Sequence, residues 1–370
     1  MSLGIAGMGW VTPLGSSLAG VWERLLGGDK AAVEAISSPL GPACNVLPVP
    51  AGATAQAPTH PRLRRSSVIS RFAAVAGLAA LEDAKLQLDA DTAARTALVF
   101  AVSNGGVIYT KRFYHDIVES GSQAASPLLF PETVFNAPAS HLAAILGISG
   151  ASYTLVGDGA VGILALKMAE DLMRNETFDH CLVVGAEEAD WLLCDAYRKW
   201  RLLRSAPPIE PFQTPPRGTI LSEGAGAILL SRNGSIQLEK IAAGTNFWRQ
   251  REAGDAVQKI FAELCQAETD LVVASANGTF VDAAEHAAIK RNCPGSKVLA
   301  IKGALGESVG ASSLWQTICG AQSLRTQLVP ADLLYREKGK ASPPAGQLRH
   351  AVVSVCGLNQ QVAGLRLAKN

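Results

Sequence analysis

The residues best suited to chemistry lie in a strand, turn and helix pattern at 152–174, which reads SYTLVGDGAVGILALKMAEDLMR. A tight glycine-rich turn between a strand and a helix often lifts a nucleophile into a pocket. Here the tip of the turn, residues 156–160, reads VGDGA and contains neither Cys nor Ser. The titratable side chain at this turn is Asp158. A helix N-terminus would favour its anionic form, and a helix cap explains it equally well.

Cys356, in the segment VVSVCGLNQQ, is a second candidate for chemistry. A thiol becomes reactive when its surroundings stabilise the thiolate. The seven cysteines are scattered, with no CxxC pair and an odd total, so we expect reduced thiols rather than a disulfide framework or a zinc site. His141 lies in an apolar helical pattern and is predicted to be a core residue. The sequence indicates neither a metal nor an organic cofactor.

The composition is typical of a large α/β protein with little net charge. The 370 residues are 48% hydrophobic and 18% charged, which provides enough apolar material for a large core. The net charge is +1 without a long basic run, so extended nucleic-acid binding is not indicated. The apolar N-terminus is short and broken by Gly and Pro, and no apolar stretch reaches the ~18 residues of a membrane helix. We therefore expect a cytoplasmic protein without a signal peptide or a membrane span.

Predicted strands and helices alternate along the chain. Short apolar runs predict strands at residues 3–7, 96–102, 152–156, 180–184 and 225–230. Helical spacing predicts helices at residues 68–86, 141–146 and 161–174. A comparable set follows Gly234 and includes a helix at 312–328. This order predicts a mainly parallel sheet covered by helices, in two α/β halves at 1–232 and 233–370 that form one compact unit. Residues 38–62 are predicted to be a long surface excursion.

Several segments match a known family in the same order. The most specific is EPFQTPPRGTILSEGAGAILL at 210–230, and it is accompanied by GMGWVTPLG at 7–15, RFAAVAGLAALEDAKL at 71–86 and IKGALGESVGAS at 301–312. Together they resemble the β-ketoacyl synthases of fatty-acid and polyketide assembly, in the thiolase-like superfamily, along nearly the whole chain. The resemblance implies an α/β thiolase-like fold, with two tandem βαβαβαββ-type halves forming a five-layered α-β-α-β-α core.

The resemblance also implies that other residues replace the family's catalytic side chains in this chain. Synthases of this family hold the acyl chain on a Cys and use two His residues to stabilise the enolate and oxyanion. The Cys position falls on Gly159, the first His position on Asn277 and the second on Glu307. Asn277 cannot shuttle a proton near neutral pH, and a Glu307 carboxylate would repel an enolate. Condensation by this chain alone is therefore not expected.

Glu223 and Lys302 match polar positions that the family keeps near its active site. We expect these two side chains to form a buried, structural ion pair.

This resemblance implies that the chain functions as a subunit that associates with an active synthase. Chain-length factors lack the Cys, dimerise with an active synthase and complete its acyl tunnel. The strand at 151–156 is the expected dimer contact, with Phe135 and residues 107–109 near the partner's tunnel. An acyl carrier protein is strongly acidic, and its candidate docking sites are RLRRSS at 62–67 and a second basic cluster. That cluster contains Arg198, Lys199, Arg201 and Arg204.

Two other functions stay open at this point. One is an acyl-transfer or hydrolytic enzyme with altered chemistry, using Asp158, Glu307, Ser308 or Cys356 in the family's pocket. Biosynthetic thiolases place an acid–base Cys in a loop comparable to that of Cys356, but their nucleophilic Cys and their His are not found here. The other is a homodimer that binds an acyl chain or an acyl carrier protein without turnover.

Overall fold

The computed structural model describes residues 3–174, 176–265, 268–337, 346–358 and 361–369. Within these ranges, ten strands form one large sheet and three form a small sheet. In chain order the strands are β1 (Leu3–Val11), β2 (Glu34–Ser38), β3 (Gly41–Leu47), β4 (Thr96–Val102), β5 (Ser152–Val156), β6 (His180–Glu187), β7 (Leu221–Ser222), β8 (Gly224–Ser231), β9 (Ile236–Asn246), β10 (Leu271–Val273), β11 (Lys297–Leu299), β12 (His350–Cys356) and β13 (Gln361–Lys369).

The α-helices are distributed along both halves of the chain. They are α1 (Leu18–Leu26), α2 (Val68–Asp83), α3 (Ala90–Ala94), α4 (Val107–Ser120), α5 (Ala137–Leu146), α6 (Val161–Met173), α7 (Trp191–Lys199), α8 (Ala253–Leu264), α9 (Val281–Asn292), α10 (Lys302–Leu305) and α11 (Ser312–Thr326). None of these described helices is both long and apolar enough to span a membrane.

The large sheet repeats one topology twice. Its first block has the order β1-β8-β6-β4-β5 and its second the order β9-β13-β12-β10-β11, so each block places its first strand beside its last. The blocks meet where β1 pairs with β9. This repetition confirms the architecture of two tandem halves, and the boundary between residues 232 and 233 stays a prediction.

The prediction of a mainly parallel sheet was wrong, because the sheet is mixed. In each block the last strand, β8 or β13, runs antiparallel to both of its neighbours. The pairs of β4 with β5 and β6, and of β10 with β11 and β12, are parallel. Only residues 357–360 separate β12 from β13. That length is too short for the crossover helix that a parallel pair requires, so β13 turns back on β12.

Helices form three layers around the two blocks of strands. α6 and α11 each contact strands of both blocks and therefore make up the middle layer. α2 and α5 cover the outer face of the first block, and α8 and α9 pack with the apolar cluster on the outer face of the second. The order of layers is therefore α-β-α-β-α, as the resemblance implied.

Several predicted elements differ from the observed ones in extent. β4 and β5 have the predicted bounds, whereas β1 and β6 continue past the predicted ends. The segment at 38–62, predicted as a surface excursion, contains β3, which pairs with β2 and β7 in the small sheet.

The prediction that all the cysteines are reduced was wrong for one pair. Cys265 and Cys293 are joined in a disulfide. They directly follow α8 and α9, and the packing of these helices on each other brings the two residues together. Their spacing along the chain carries no such signal. The other five cysteines are free and buried in the described part of the chain.

Candidate functional site

The turn between β5 and α6 places Asp158 half-buried and Gly159 fully buried. The Asp158 carboxylate accepts hydrogen bonds from the backbone N–H of Ala160 at 3.2 Å and from that of Gln361 at 3.5 Å. The backbone N–H of Asp158 donates to the Gln361 side chain at 3.1 Å. Asp158 therefore joins the turn to the start of β13. It does not cap α6, because the N-cap residue of this helix is Ala160 and it has no side-chain cap.

Gly159 and Gly357 face each other across this turn. The nearest atom to a Cβ built on Gly159 is the Gly357 Cα at 3.5 Å, an ordinary contact, and the Gly159 backbone is not in the left-handed region. A Cβ on Gly357 would lie 1.9 Å from an Asp158 carboxylate oxygen. The fold therefore requires glycine at 357 but leaves room for a side chain at 159.

A buried polar network occupies the positions of Asn277 and Glu307. Lys302 Nζ donates to Glu307 Oε2 at 2.7 Å, and Asn277 Nδ2 donates to the same oxygen at 2.9 Å. The side chains of Lys302 and Glu307 are 2% and 3% exposed. The Asn277 carbonyl accepts from the N–H and the hydroxyl of Thr279, at 3.1 and 2.7 Å. The Glu307 charge is thus compensated by an ammonium group, which the sequence did not predict.

The expected ion pair between Glu223 and Lys302 was wrong, because Lys302 pairs with Glu307. The Glu223 carboxylate instead accepts from the backbone N–H of Val49 at 3.1 Å and of Ala189 at 3.4 Å. Burial raises its pKa. The motifs placed both residues near the site, but they carry no information on which side chains face each other.

Cys356 lies beside this network. Its backbone N–H donates to Ser275 Oγ at 3.0 Å, and Lys302 Nζ donates to the same hydroxyl at 3.4 Å. The Cys356 thiol is buried, and burial together with the Glu285 carboxylate raises its pKa well above the ordinary value. A thiol with a raised pKa is a poor nucleophile near neutral pH. Ser308 is also fully buried, so neither residue has the surroundings of an activated nucleophile.

A cavity of about 290 Å³ opens beside Asp158. Its other lining residues are mainly aromatic and aliphatic, and they include Tyr197, Trp200, Leu202, Phe247, Trp248, Phe280 and Leu358. Burial raises the pKa of the Tyr197 hydroxyl, and the carboxylates of Glu187, Glu307 and Asp158 contribute to the increase. Of the predicted site residues, Asp158 lines this cavity, and Tyr197 is close enough to Glu307 for the carboxylate of the buried network to affect its hydroxyl.

Sequence reasoning missed the lining of this cavity. Trp200 and Trp248 are 62% and 77% exposed, which is unusual for such large apolar side chains. The pair Phe247 and Trp248, between polar residues in TNFWRQRE, was the available signal for a site. Among the described residues, no group of three or more His, Cys, Asp or Glu is arranged to hold a metal ion.

Several other buried titratable groups do not line this cavity. Glu187 accepts from the backbone N–H of Ser103 at 3.0 Å, and burial raises its pKa to about 7. Burial and the neighbouring Glu187 raise the pKa of Glu188 to about 8. The Oε1 atom of Glu188 has no hydrogen-bond partner among the described residues. His141, predicted to be a core residue, is largely buried and pairs with Glu132.

The edge strand of the large sheet and helix α4 both carry exposed apolar side chains. β5 is the edge strand of the first block, and its Tyr153 and Val156 are 43% and 52% exposed. α4, which follows β4, has 14 residues that are all half-buried or exposed, including those at 107–109. Phe130 and Phe135 add exposed rings beyond α4. We call residues 107–120, 128–135 and 152–156 the β5 surface.

The chain is similar in sequence to several known proteins. Residues 2–234, more than half of the chain, match the model of the family described as β-ketoacyl synthase, N-terminal domain. The chain is similar to Nodulation protein E of Rhizobium leguminosarum bv. trifolii, with 25% identity over 366 residues that cover 90% of this chain and 88% of the relative. It is also 24% identical over 358 residues to 3-oxoacyl-[acyl-carrier-protein] synthase 2 of Vibrio cholerae serotype O1, covering 88% of this chain and 86% of that relative.

A solved structure extends this similarity to the complete fold. The chain is similar to the ishigamide ketosynthase/chain length factor with a TM-score of 0.85 and 18% sequence identity, covering 100% of this chain and 99% of that one. At this identity, the likeness concerns the fold alone.

Proposed function

The chain belongs to the β-ketoacyl synthase family, and on that premise we propose that it is a non-condensing subunit of the chain-length-factor type. It dimerises with an active β-ketoacyl synthase in fatty-acid, polyketide or aryl-polyene assembly. The observation that carries this proposal is the identity and hydrogen bonding of the residues in the candidate site. Gly159 stands at the turn, while Asn277 and Glu307 are tied to Lys302 in a buried network.

This site lacks the groups that condensation needs. Gly159 has no side-chain atom that could hold an acyl chain as a thioester. The Asn277 amide is hydrogen-bonded to Glu307 and its carbonyl to Thr279, so this residue supports the fold rather than a reacting oxygen. Glu307 accepts hydrogen bonds from Lys302 and Asn277, and a carboxylate offers no donor to an oxyanion.

The β5 surface is the contact that we propose for the partner. β5 uses one edge to pair with β4, and no described strand pairs with its other edge. An exposed edge strand with apolar neighbours is usually covered by another chain or element. Pairing with the same strand of a related subunit across a pseudo-two-fold axis would cover it. The similarity to a protein named as a ketosynthase/chain length factor supports this choice.

An acyl carrier protein is the second proposed partner. Arg62, Arg64 and Arg65 are exposed and offer positive charge to an acidic carrier. In the other basic cluster, Arg198 and Lys199 lie 3.7 and 3.0 Å from Asp195, which compensates part of their charge. The first group is therefore the stronger docking candidate.

Complex formation tests the proposal. The chain is purified alone and together with an intact β-ketoacyl synthase from the same genome, and molar masses are measured by size-exclusion chromatography with light scattering. We expect a complex with one copy of each subunit. A chain that remains a homodimer in the presence of every such synthase would support the non-catalytic homodimer instead and would overturn the proposal.

A further inference from the structure

Two thiols from distant parts of the chain meet behind the wall of the cavity. Cys44 lies in β3 and Cys194 in α7, and both belong to one apolar cluster with Tyr197 and Leu202. Cys44 is 5% exposed and Cys194 is 0% exposed. Burial raises the pKa of the Cys194 thiol to about 12, and the neighbouring Cys44 contributes to this increase. The proposed function uses neither thiol.

A guanidinium group lies beside this pair. Arg198 follows Cys194 by one helical turn in α7, so both side chains are on the same face of the helix. Arg198 Nη2 donates to the Pro42 carbonyl at 2.7 Å and also contacts Cys44 Sγ. A cation next to a sulfur stabilises negative charge on it, and the anionic sulfur is the form that peroxide oxidises. Because Cys44 contacts this cation and burial raises the pKa of Cys194, we expect Cys44 to react first.

We propose that Cys44 and Cys194 form a reversible disulfide in response to hydrogen peroxide. In the first step, the Cys44 sulfur attacks one peroxide oxygen, the O–O bond breaks, and a sulfenic acid and one water are formed. In the second, the Cys194 sulfur displaces the oxygen from Cys44, which leaves with the thiol proton as a second water. One peroxide is thereby reduced to two waters while two thiols become one disulfide.

The disulfide would join the cavity wall to the small sheet. α7 carries Tyr197, and Trp200 follows directly after the helix, so both lining residues depend on its position. A covalent bond to β3 would restrict the motion of α7. Oxidation of Cys44 and Cys194 by peroxide would therefore make the cavity wall more rigid. This inference does not depend on the proposed function.

Peptide mapping tests the reaction directly. The full chain is titrated with hydrogen peroxide, its remaining thiols are alkylated, and non-reduced peptides are identified by mass spectrometry. We expect a peptide that links Cys44 to Cys194 and disappears on treatment with dithiothreitol. In Cys194→Ser, Cys44 should yield a sulfenic acid that dimedone traps, and the control Cys319→Ala should form the linked peptide as the unmodified chain does. Both thiols alkylated, or oxidised without linkage, would overturn the proposal.

Hydrogen exchange tests the effect on the cavity. Amides at 191–199 should exchange more slowly in the oxidised chain than in the reduced chain, and the difference should be lost in Cys194→Ser. Equal exchange in both states, with the linked peptide present, would show that the bond does not restrict α7.

Discussion

Lys302 and Glu307 form an ion pair that is almost completely removed from solvent. Removing one member of such a pair leaves an uncompensated buried charge, at a cost of about 3–5 kcal/mol. We expect Lys302→Met to lower the free energy of unfolding by about that amount, as measured by urea denaturation. The double variant with Glu307→Gln should lose less than the sum of the two single losses, because it contains no unpaired charge. Additive losses would contradict this coupling.

The two facing glycines provide a second comparison at the scale of single residues. Gly357→Ala would push the Asp158 carboxylate away from its hydrogen bonds, so we expect a loss of about 1–3 kcal/mol. Gly159→Ala is its matched control, because that Cβ meets an ordinary contact, and we expect a change below about 1 kcal/mol. Thermal unfolding of both variants measures the difference, and equal losses would contradict the assigned roles.

Parts of the site could be predicted from the sequence, because aligning its motifs with those of the family requires only the order of the residues. That register indicated Asp158 and Cys356, which the structure brings to one region. The assignment of Gly159, Asn277 and Glu307 to the catalytic positions stays a prediction. The ion-pair partner of Lys302 could not be predicted. The motifs contain two candidate carboxylates, Glu223 and Glu307, and which of them faces Lys302 depends on side-chain direction in three dimensions. For the same reason, the sequence did not indicate that Tyr197 lines the cavity.

At the scale of elements, the exposed edge of β5 is the feature that the proposed dimer depends on. Val156→Lys places a charge in the proposed contact, and we expect at least a tenfold weaker association with the synthase, about 1.4 kcal/mol. Leu328→Lys, at a residue that is 52% exposed beyond the end of α11, is the matched control and should associate as the unmodified chain does. Analytical ultracentrifugation gives both dissociation constants. Equal weakening by the two variants would place the contact elsewhere.

The elements themselves were predictable to different degrees. α11 was predicted near its observed bounds although all its residues from Ser312 to Leu324 are buried, because its length and end signals are local. β2 and β3 were missed, since their exposed residues lie in a segment rich in Pro, Ala and Gly that is typical of loops. Strand direction was also missed, because an apolar run is the same whichever way the strand runs.

At the scale of the whole molecule, buried carboxyl groups make stability depend on pH. The pKa is raised from 4.5 to about 7 for Glu187 and Glu285 and to about 8 for Glu188, mainly by burial. The folded state therefore binds these protons more tightly than the unfolded state. Their contribution to stability is fully present below 4.5 and is lost as the pH rises through 7 and 8.

We therefore expect the free energy of unfolding to fall between about pH 5 and pH 8. Glu188→Gln should make this fall shallower, because its amide does not ionise. Glu23→Gln, at an exposed carboxyl on α1, should leave the slope unchanged. Denaturation midpoints across this pH range provide the measurement, and identical slopes for Glu188→Gln and the unmodified chain would contradict the burial argument.

The most direct test of the whole account is an elongation assay with the purified chain. The chain is incubated with acyl-loaded and malonyl-loaded acyl carrier protein, first alone and then with its synthase partner, and every protein is examined by intact mass. We expect no acyl adduct on this chain and no extended product until the synthase is added. An acyl group attached to this chain and then extended in the absence of any synthase would contradict the account.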